Sequence, residues 1–214
     1  MNKLPVKAGV GIVVIFHLIG LVGILSPYRA LFVSLTPVNL LLCLALILYF
    51  EPRPWTSSFI YLSIFTALAG FALEVVGVNT GVPFGAYAYG PPFGWQWLNT
   101  PFLIGINWLL MVYGGVNVMM RYIRQPVWGA LATGLLVMFV DLLLEPVAIR
   151  LDYWTWESTT VPIQNYLTWF AAIAVFAYLW YRRHGVAKNE IAAWVLVTQV
   201  VFFALLNLGF GMLG

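Results

Sequence analysis

Residues 71–101 read FALEVVGVNTGVPFGAYAYGPPFGWQWLNTP, and this stretch decides how the rest of the sequence is interpreted. Its beginning closes a long apolar run that contains one ionisable side chain, Glu74. The part after Glu74 has no charged residue and is rich in aromatics, Gly and Pro, which argues against a regular spanning helix. Irregular backbone is tolerated at membrane depth where protein buries it or where it lines a cavity. We expect a re-entrant or interfacial cap over a pocket with Glu74 on its floor, although an ordinary interfacial loop with an aromatic belt has the same composition.

The composition of the whole chain favours a membrane setting. Of the 214 residues, 63% are hydrophobic and only 8% are charged, which is more apolar surface than a soluble domain of this size can bury. We predict an all-α polytopic membrane protein that forms a single integral membrane domain over residues 1–214. The few basic residues lie at the ends of apolar runs, which excludes a nucleic-acid-binding face. The single cysteine, Cys43, excludes an internal disulfide and a cysteine metal cluster.

Seven apolar runs approach or exceed the roughly 20 residues that cross a bilayer. They cover residues 7–25, 31–50, 58–76, 101–120, 127–149, 164–181 and 190–213. The aromatic and Gly-rich cap therefore falls between the third and fourth of about seven transmembrane helices, and Pro37 is expected to bend or shorten the second. Of the ten basic residues, all except Arg29 and Arg150 fall on the side that carries the N-terminus. The positive-inside rule then predicts a cytoplasmic N-terminus and an outer C-terminus.

Three acidic residues, Glu74, Asp141 and Glu145, lie within apolar runs toward the ends predicted to face outside. Charged groups in a span usually face the bundle interior or a wet cavity, although each alone could simply bond a neighbouring helix. Asp141 and Glu145 are four residues apart, which places both carboxyl groups on one helix face. Two such groups should not both ionise in a low dielectric, so one is expected to remain a protonated acid. Pro146 is expected to kink the helix beside them.

Aromatic and amide side chains surround these acids in the sequence. The aromatic residues of the cap and of the loop beyond Glu145 could stabilise a buried cation or belong to an interfacial belt. Asn107 lies about two turns into the fourth run and Asn165 lies at the start of the sixth. Each could be a pocket donor or a helix–helix contact. The remaining acids lie in or beside loops: Glu51, Asp152, Glu157 and Glu190.

The two histidines do not indicate a metal site. His17 lies alone within the first run and is interpreted as a packing residue, while His184, beside Arg182 and Arg183, is expected to be solvated. The chain has no dinucleotide-binding glycine motif in a strand–turn–helix setting and no Walker loop. Seven predicted helices invite comparison with retinal proteins, but the last run contains no lysine for a Schiff base.

Two motifs in the middle of the chain can be read together. The first is Glu74-x-x-Gly77 followed by Thr80-Gly81-x-x-Phe84-Gly85-x-Tyr87-x-Tyr89. The second is Asp141-x-x-x-Glu145-Pro146 followed by Trp154-x-Trp156 and Val161-Pro162-x-x-Asn165-Tyr166-x-x-Trp169. Together they resemble the signatures of the CruF-like carotenoid biosynthesis family. The resemblance covers roughly residues 70–170, and the other predicted helices match only as apolar segments.

Members of that family are integral membrane carotenoid hydratases, which add water across the terminal C1=C2 double bond of an acyclic ψ end, as in lycopene or γ-carotene. The resemblance implies the same reaction here, without cofactor or metal, on a carotenoid dissolved in a bacterial cytoplasmic membrane. Other enzymes of the carotenoid pathway are candidate partners. The chemistry of hydration then suggests that Asp141, paired with Glu145, protonates C2, while Glu74 orients the water and accepts its proton. The expected substrate-binding residues are Phe84, Tyr87, Tyr89, Asn107, Trp154, Trp156 and Asn165.

Two alternatives stay open at this point. A carotenoid end-group cyclase begins with the same kind of protonation, but its product gains no mass. A proton-coupled transporter or a lipid-binding membrane protein could also use intramembrane acids, and a continuous chain of buried acids across both halves of the membrane would favour it.

Overall fold

The computed structural model describes residues 4–53, 56–184 and 188–213, and helices dominate these ranges. The helices are α1 (Val6–Ile24), α2 (Arg29–Ser34), α3 (Thr36–Phe50), α4 (Ser57–Thr80), α5 (Leu103–Met119), α6 (Pro126–Arg150), α7 (Ile163–Arg183) and α8 (Glu190–Leu213). Four short strands lie in the connections: β1 (Tyr87–Tyr89), β2 (Gln96–Trp97), β3 (Thr100–Pro101) and β4 (Trp154–Trp156). A single 3-10 turn covers Pro91–Phe93.

Each predicted apolar run contains one long helix, and the second run is divided. There α2 ends at Ser34 and α3 begins at Thr36, with Pro37 in the first turn, where its missing N–H costs no helical hydrogen bond. Pro146 lies inside α6, which is assigned as one helix from Pro126 to Arg150. The predicted kink at Pro146 stays a prediction.

The long helices have the dimensions and the apolar character of membrane-spanning segments. Four of them, α1, α4, α6 and α8, are long and apolar enough to cross a membrane, while α3 and α5 are apolar but shorter. Large apolar side chains point away from the protein on these helices, for example Val22 on α1 and Leu68 on α4, which are 68% and 65% exposed. Such outward apolar surface is what a lipid environment requires. A count of seven membrane crossings stays a prediction.

Helix α5 is the central element of the bundle. It contacts α3, α4, α6, α7 and α8, and almost every side chain from Trp108 to Asn117 is buried. The outer helices add further contacts, chiefly α6 with α7 and α1 with α8. The first half of α5 faces the ends of α4 and α6 and the beginning of α7, so residues from all four helices can meet there.

Strands β1 and β4 form an antiparallel ribbon that the sequence analysis did not predict. Tyr87 lies opposite Trp156, and Tyr89 lies opposite Trp154. The pairing extends one residue beyond the ribbon, where Gly90 donates its N–H to the Tyr153 carbonyl at 2.8 Å. The ribbon joins the segment after α4 to the segment after α6, and so brings the two sequence motifs together.

A buried polar cluster holds the helices together at the opposite end of α4, α5 and α7. Glu51, at the end of α3, is fully buried and accepts hydrogen bonds from the Tyr113 hydroxyl and, at 3.0 Å, from the Asn189 amide. His184 Nε2 lies 3.4 Å from Glu51 Oε1, and Arg53 donates to the His184 carbonyl at 2.5 Å. The expectation that His184 is solvated is therefore wrong, because its ring packs against Phe59 and Trp180 and is only 5% exposed.

Candidate active site

The three intramembrane acids line one cavity. Glu74 belongs to the buried stripe of α4 that also contains Thr66 and Gly70, so helix periodicity turns it inward. Asp141 and Glu145 lie one turn apart on the buried face of α6, as their spacing predicted. All seven residues expected to bind substrate line the same cavity: Phe84, Tyr87, Tyr89, Asn107, Trp154, Trp156 and Asn165. Their roles, and those of the acids, remain predictions.

Glu74 is surrounded by hydrogen-bond donors from two other segments. Its Oε2 accepts from the hydroxyl groups of Tyr87 and, at 2.8 Å, of Tyr89. Its Oε1 accepts from the indole N–H of Trp108 at 3.0 Å. Three donors around one carboxyl group suit an ionised acceptor, because a carboxylate can only accept.

Glu145 has an equally complete set of donors, whereas Asp141 does not. The indole N–H groups of Trp154 and Trp156 both donate to Glu145 Oε2 at 3.0 Å. The Asn165 amide donates to Glu145 Oε1 at 3.2 Å and to Asp141 Oδ2 at 2.9 Å. Among the residues that the structure describes, Asn165 is the only hydrogen-bond donor to the Asp141 carboxyl group. Asp141 is thus the acid whose negative charge is least supported.

The β1–β4 ribbon presents four aromatic side chains to the acids. Residues directly opposite each other in a ladder share one face, so Tyr87, Tyr89, Trp154 and Trp156 lie together on the cavity side. The Tyr87 and Trp156 rings are 5.0 Å apart, and the Tyr89 and Trp154 rings are 6.1 Å apart. Burial, reinforced by the charge of Glu74, raises the pKa of both tyrosines, so each phenol keeps the proton that it donates.

Two tryptophans, Trp108 and Trp169, belong to the site but were not predicted as site residues from the sequence. Trp108 follows the predicted Asn107 directly and is fully buried beneath Glu74, where Gly70 leaves room for its ring. Trp169 stacks on Trp108 with ring centres 4.3 Å apart, and it also lines the cavity. Trp169 was part of the second motif, but nothing in the sequence distinguishes Trp108 from an ordinary core tryptophan.

The arrangement can carry out acid–base chemistry in a poorly solvated site. It offers one weakly supported carboxyl group, two carboxyl groups with three donors each, and a wall of aromatic rings. Within the described ranges, no three His, Cys, Asp or Glu side chains are grouped so as to hold a metal ion. The prediction of a metal-free reaction stays a prediction.

Comparison with known proteins places these features in a family. No solved structure matches the chain. A curated relative from Haloarcula japonica, named bisanhydrobacterioruberin hydratase, is 28% identical over 155 residues, and the match covers 65% of this chain and 51% of the relative. The chain thus spans about half the length of this relative. The family model described as "Carotenoid biosynthesis protein" matches residues 35–214. Because that match covers most of the chain and includes every residue of the cavity, the protein belongs to the carotenoid biosynthesis protein family.

Proposed function

We propose that the protein is a carotenoid hydratase that adds water across the terminal C1=C2 double bond of an acyclic ψ end group. The name of the relative, a hydratase, supports a hydration reaction, and the family supports a carotenoid substrate. The observation that carries the proposal is the unequal hydrogen bonding of three carboxyl groups around one buried cavity. Hydration needs a proton donor and a proton acceptor in one place, and this set offers both.

Asp141 is the proposed proton donor to C2 of the alkene. Glu145, one helical turn away, and Glu74 have enough donors to remain anionic, and their negative charge disfavours a third charge on Asp141. Asp141, with a single donor, therefore keeps its proton until an alkene is bound. Transfer of that proton to C2 leaves a tertiary cation at C1, which the flanking carboxylates and aromatic faces stabilise.

Water then attacks C1, and Glu74 accepts the proton that the new oxygen releases. The donors around Glu74 make it a weak base, but a protonated tertiary alcohol is a strong acid, so a weak base is sufficient. Asn107 and Asn165 are the proposed amide contacts to this water, since both line the cavity. The cycle closes when the proton returns from Glu74 to Asp141, so the net change is the addition of one water molecule.

The aromatic ribbon is proposed to cover the reaction. With Phe84 behind them, the four rings of β1 and β4 leave little room for bulk water, which would otherwise capture a proton or solvate the acids. The ribbon and its neighbouring segment, residues 82–102, would be the cap between the third and fourth of seven membrane crossings.

The proposed setting is a bacterial cytoplasmic membrane. The chain would form one integral membrane domain with a cytoplasmic N-terminus and an outer C-terminus, so that the acid cavity lies toward the outer face. The substrate, a polyene dissolved in the bilayer, would enter from lipid, and other carotenoid-pathway enzymes are the proposed partners.

Isotopic labelling of the product tests the reaction. Purified protein in lipid nanodiscs is given lycopene in H₂¹⁸O under anaerobic conditions, with no added metal, flavin or nicotinamide. We expect one ¹⁸O atom in a tertiary alcohol at C1 and, when D₂O is used, deuterium at C2. An unlabelled alcohol that forms only in air would mean an O₂-dependent hydroxylation. A product of unchanged mass would instead indicate cyclisation.

A further inference from the structure

Two arginines converge on one aromatic ring where the ends of α1, α6 and α8 meet. The guanidinium carbon of Arg29 lies 5.2 Å from the centre of the Phe210 ring, and that of Arg150 lies 4.7 Å from the same centre. The two guanidinium groups therefore cannot be farther apart than these two distances laid end to end. Two like charges this close repel each other, and a negatively charged group that contacts both would offset the repulsion.

The protein itself uses only part of the hydrogen-bonding capacity of this arginine pair. Arg29 donates through Nε to the carbonyl of Ile24, the last residue of α1, at 3.1 Å. Arg150 donates through Nη1 to the carbonyl of Phe210, in the last turn of α8, at 3.4 Å. Both bonds satisfy carbonyl groups that a helix end leaves without a partner. Each guanidinium group carries several further N–H groups, and within the described ranges neither side chain makes another hydrogen bond.

No carboxylate neutralises the two charges in the part of the chain that the structure describes. Two ion pairs are found there, and both lie at the opposite end of the molecule: Arg121–Glu190 and His184–Glu51. Asp152 follows Arg150 by two residues, yet it forms an ion pair with neither arginine of the pair. Arg29 is half-buried and Arg150 is exposed, so a ligand from outside the protein can reach both guanidinium groups.

The helix surfaces that lead to the arginine pair are apolar and turned outward. Helices α1 and α8 pack against each other, and both are long and apolar enough to cross a membrane. Each carries a stripe of exposed apolar side chains at helical spacing in the half that ends at the arginines. The stripes consist of Ile15, Leu18 and Val22 on α1 and of Val201, Leu205 and Leu208 on α8. Acyl chains can lie along such stripes, which favours a phospholipid over a free phosphate ion as the ligand.

We propose that Arg29 and Arg150 bind the phosphate group of an anionic phospholipid, whose acyl chains lie along the outward stripes of α1 and α8. Guanidinium groups bind phosphate oxygens through paired hydrogen bonds, and basic pockets between membrane helices bind anionic headgroups. Phosphatidylcholine carries the same phosphate, but two arginines repel its trimethylammonium group. Neither arginine lines the acid cavity, so the lipid site does not depend on the proposed reaction.

Lipid titration of the wild-type protein tests the site without any substitution. Purified protein in a neutral detergent receives palmitoyl-oleoyl phosphatidylglycerol or the phosphatidylcholine with the same chains, and native mass spectrometry counts the bound lipid. We expect the first phosphatidylglycerol to bind at least about tenfold more tightly, which is the usual contribution of one charge-assisted hydrogen bond. Phosphatidylglycerol should also raise the Tm, whereas inorganic phosphate at the same concentration should not. Equal affinity for the two lipids, or an equal rise in Tm with phosphate alone, would overturn the proposal.

Paired substitutions test the two arginines themselves. Arg29→Gln with Arg150→Gln removes both charges and should reduce the affinity for phosphatidylglycerol to that for phosphatidylcholine. Arg124→Gln with Arg182→Gln is the charge-matched control, because both of these arginines are exposed at the opposite end, and it should keep the preference. Equal losses in the two double variants would show a nonspecific attraction of a basic protein for an anionic lipid.

A lysine pair covers the case in which the glutamine pair does not fold. Arg29→Lys with Arg150→Lys keeps both charges but loses the planar set of N–H groups that fits phosphate. We expect this variant to lose most of the preference for phosphatidylglycerol in the same mass-spectrometric assay. An unchanged preference would contradict the proposed guanidinium contacts.

Discussion

At the scale of single residues, the informative feature of the site is how its few hydrogen-bond donors are distributed among three carboxyl groups. Glu74 and Glu145 each accept three hydrogen bonds, whereas Asp141 shares one amide of Asn165 with its neighbour. Five of the six donor groups are indole or phenol groups, which cannot supply a positive charge at neutral pH. The site therefore gives two carboxyl groups three donors each and leaves the third, on Asp141, with one shared donor.

The corresponding prediction concerns the isosteric amides of the three acids. Asp141→Asn should insert and fold, because an amide can keep the contact with Asn165, but it should form product about 10²–10⁴-fold more slowly, which is the usual cost of losing a general acid. Glu74→Gln and Glu145→Gln should also lose activity. Product per milligram of inserted protein, measured by pigment mass analysis, separates lost chemistry from lost protein. Glu157→Gln, at an exposed position, is the control, and a fully active Asp141→Asn variant would remove Asp141 as the donor.

At the scale of elements, the two short strands β1 and β4 determine the geometry of the aromatic wall. Their pairing aligns Tyr87 with Trp156 and Tyr89 with Trp154, and so delivers two donors to Glu74 and two to Glu145 from one rigid unit. All four residues could be identified from the sequence, but their pairing in a ribbon could not. Strands of three residues carry too little alternation to be recognised, and their pairing partners are separated by two helices.

Gly90, directly after β1, is the position at which the role of the ribbon can be tested. A Cβ atom at this position would lie 1.9 Å from the Asp152 carbonyl oxygen, so Gly90→Ala must push the two segments of the ribbon apart. We expect a lower Tm and a loss of activity, since the tyrosine and tryptophan donors move away from Glu74 and Glu145. Thr155→Ala, on the exposed outer side of β4, should change neither. A Gly90→Ala enzyme with normal Tm and activity would show that the ribbon does not position the site.

For the whole molecule, composition and helical spacing were enough to predict the helices and which residues share a helix face. They were not enough to predict contacts between segments that are distant in the sequence. Long apolar runs located the helices, and the four-residue spacing of Asp141 and Glu145 placed both acids on one face. Composition and spacing placed Glu51 in or beside a loop and predicted that His184 would be solvated. Both are buried, because Tyr113 and Asn189 from distant segments bond Glu51 beside the histidine ring. Such pairing between remote segments leaves no periodic signal in the chain.

The distribution of arginines shows which loops share an end of the molecule. Arg29 and Arg150 both lie over the Phe210 ring, at 5.2 and 4.7 Å, near the acid cavity end of α6. At the opposite end, Arg53 bonds the His184 carbonyl and Arg121 pairs with Glu190 at 2.6 Å. These four arginines thus divide between the two ends as predicted from the sequence, while the direction of the molecule in the membrane stays a prediction.

That direction can be measured with single cysteines in a Cys43→Ala background. Ser158→Cys lies in the exposed loop between β4 and α7, and Lys188→Cys lies just before α8 at the other end. Because the end with more basic residues should stay in the cytoplasm, a membrane-impermeant maleimide added to intact cells should label Ser158→Cys and not Lys188→Cys. Both should react after lysis, which controls for accessibility. Labelling of Lys188→Cys alone in intact cells would reverse the orientation and place the acid cavity, with its supply of water, on the cytoplasmic side.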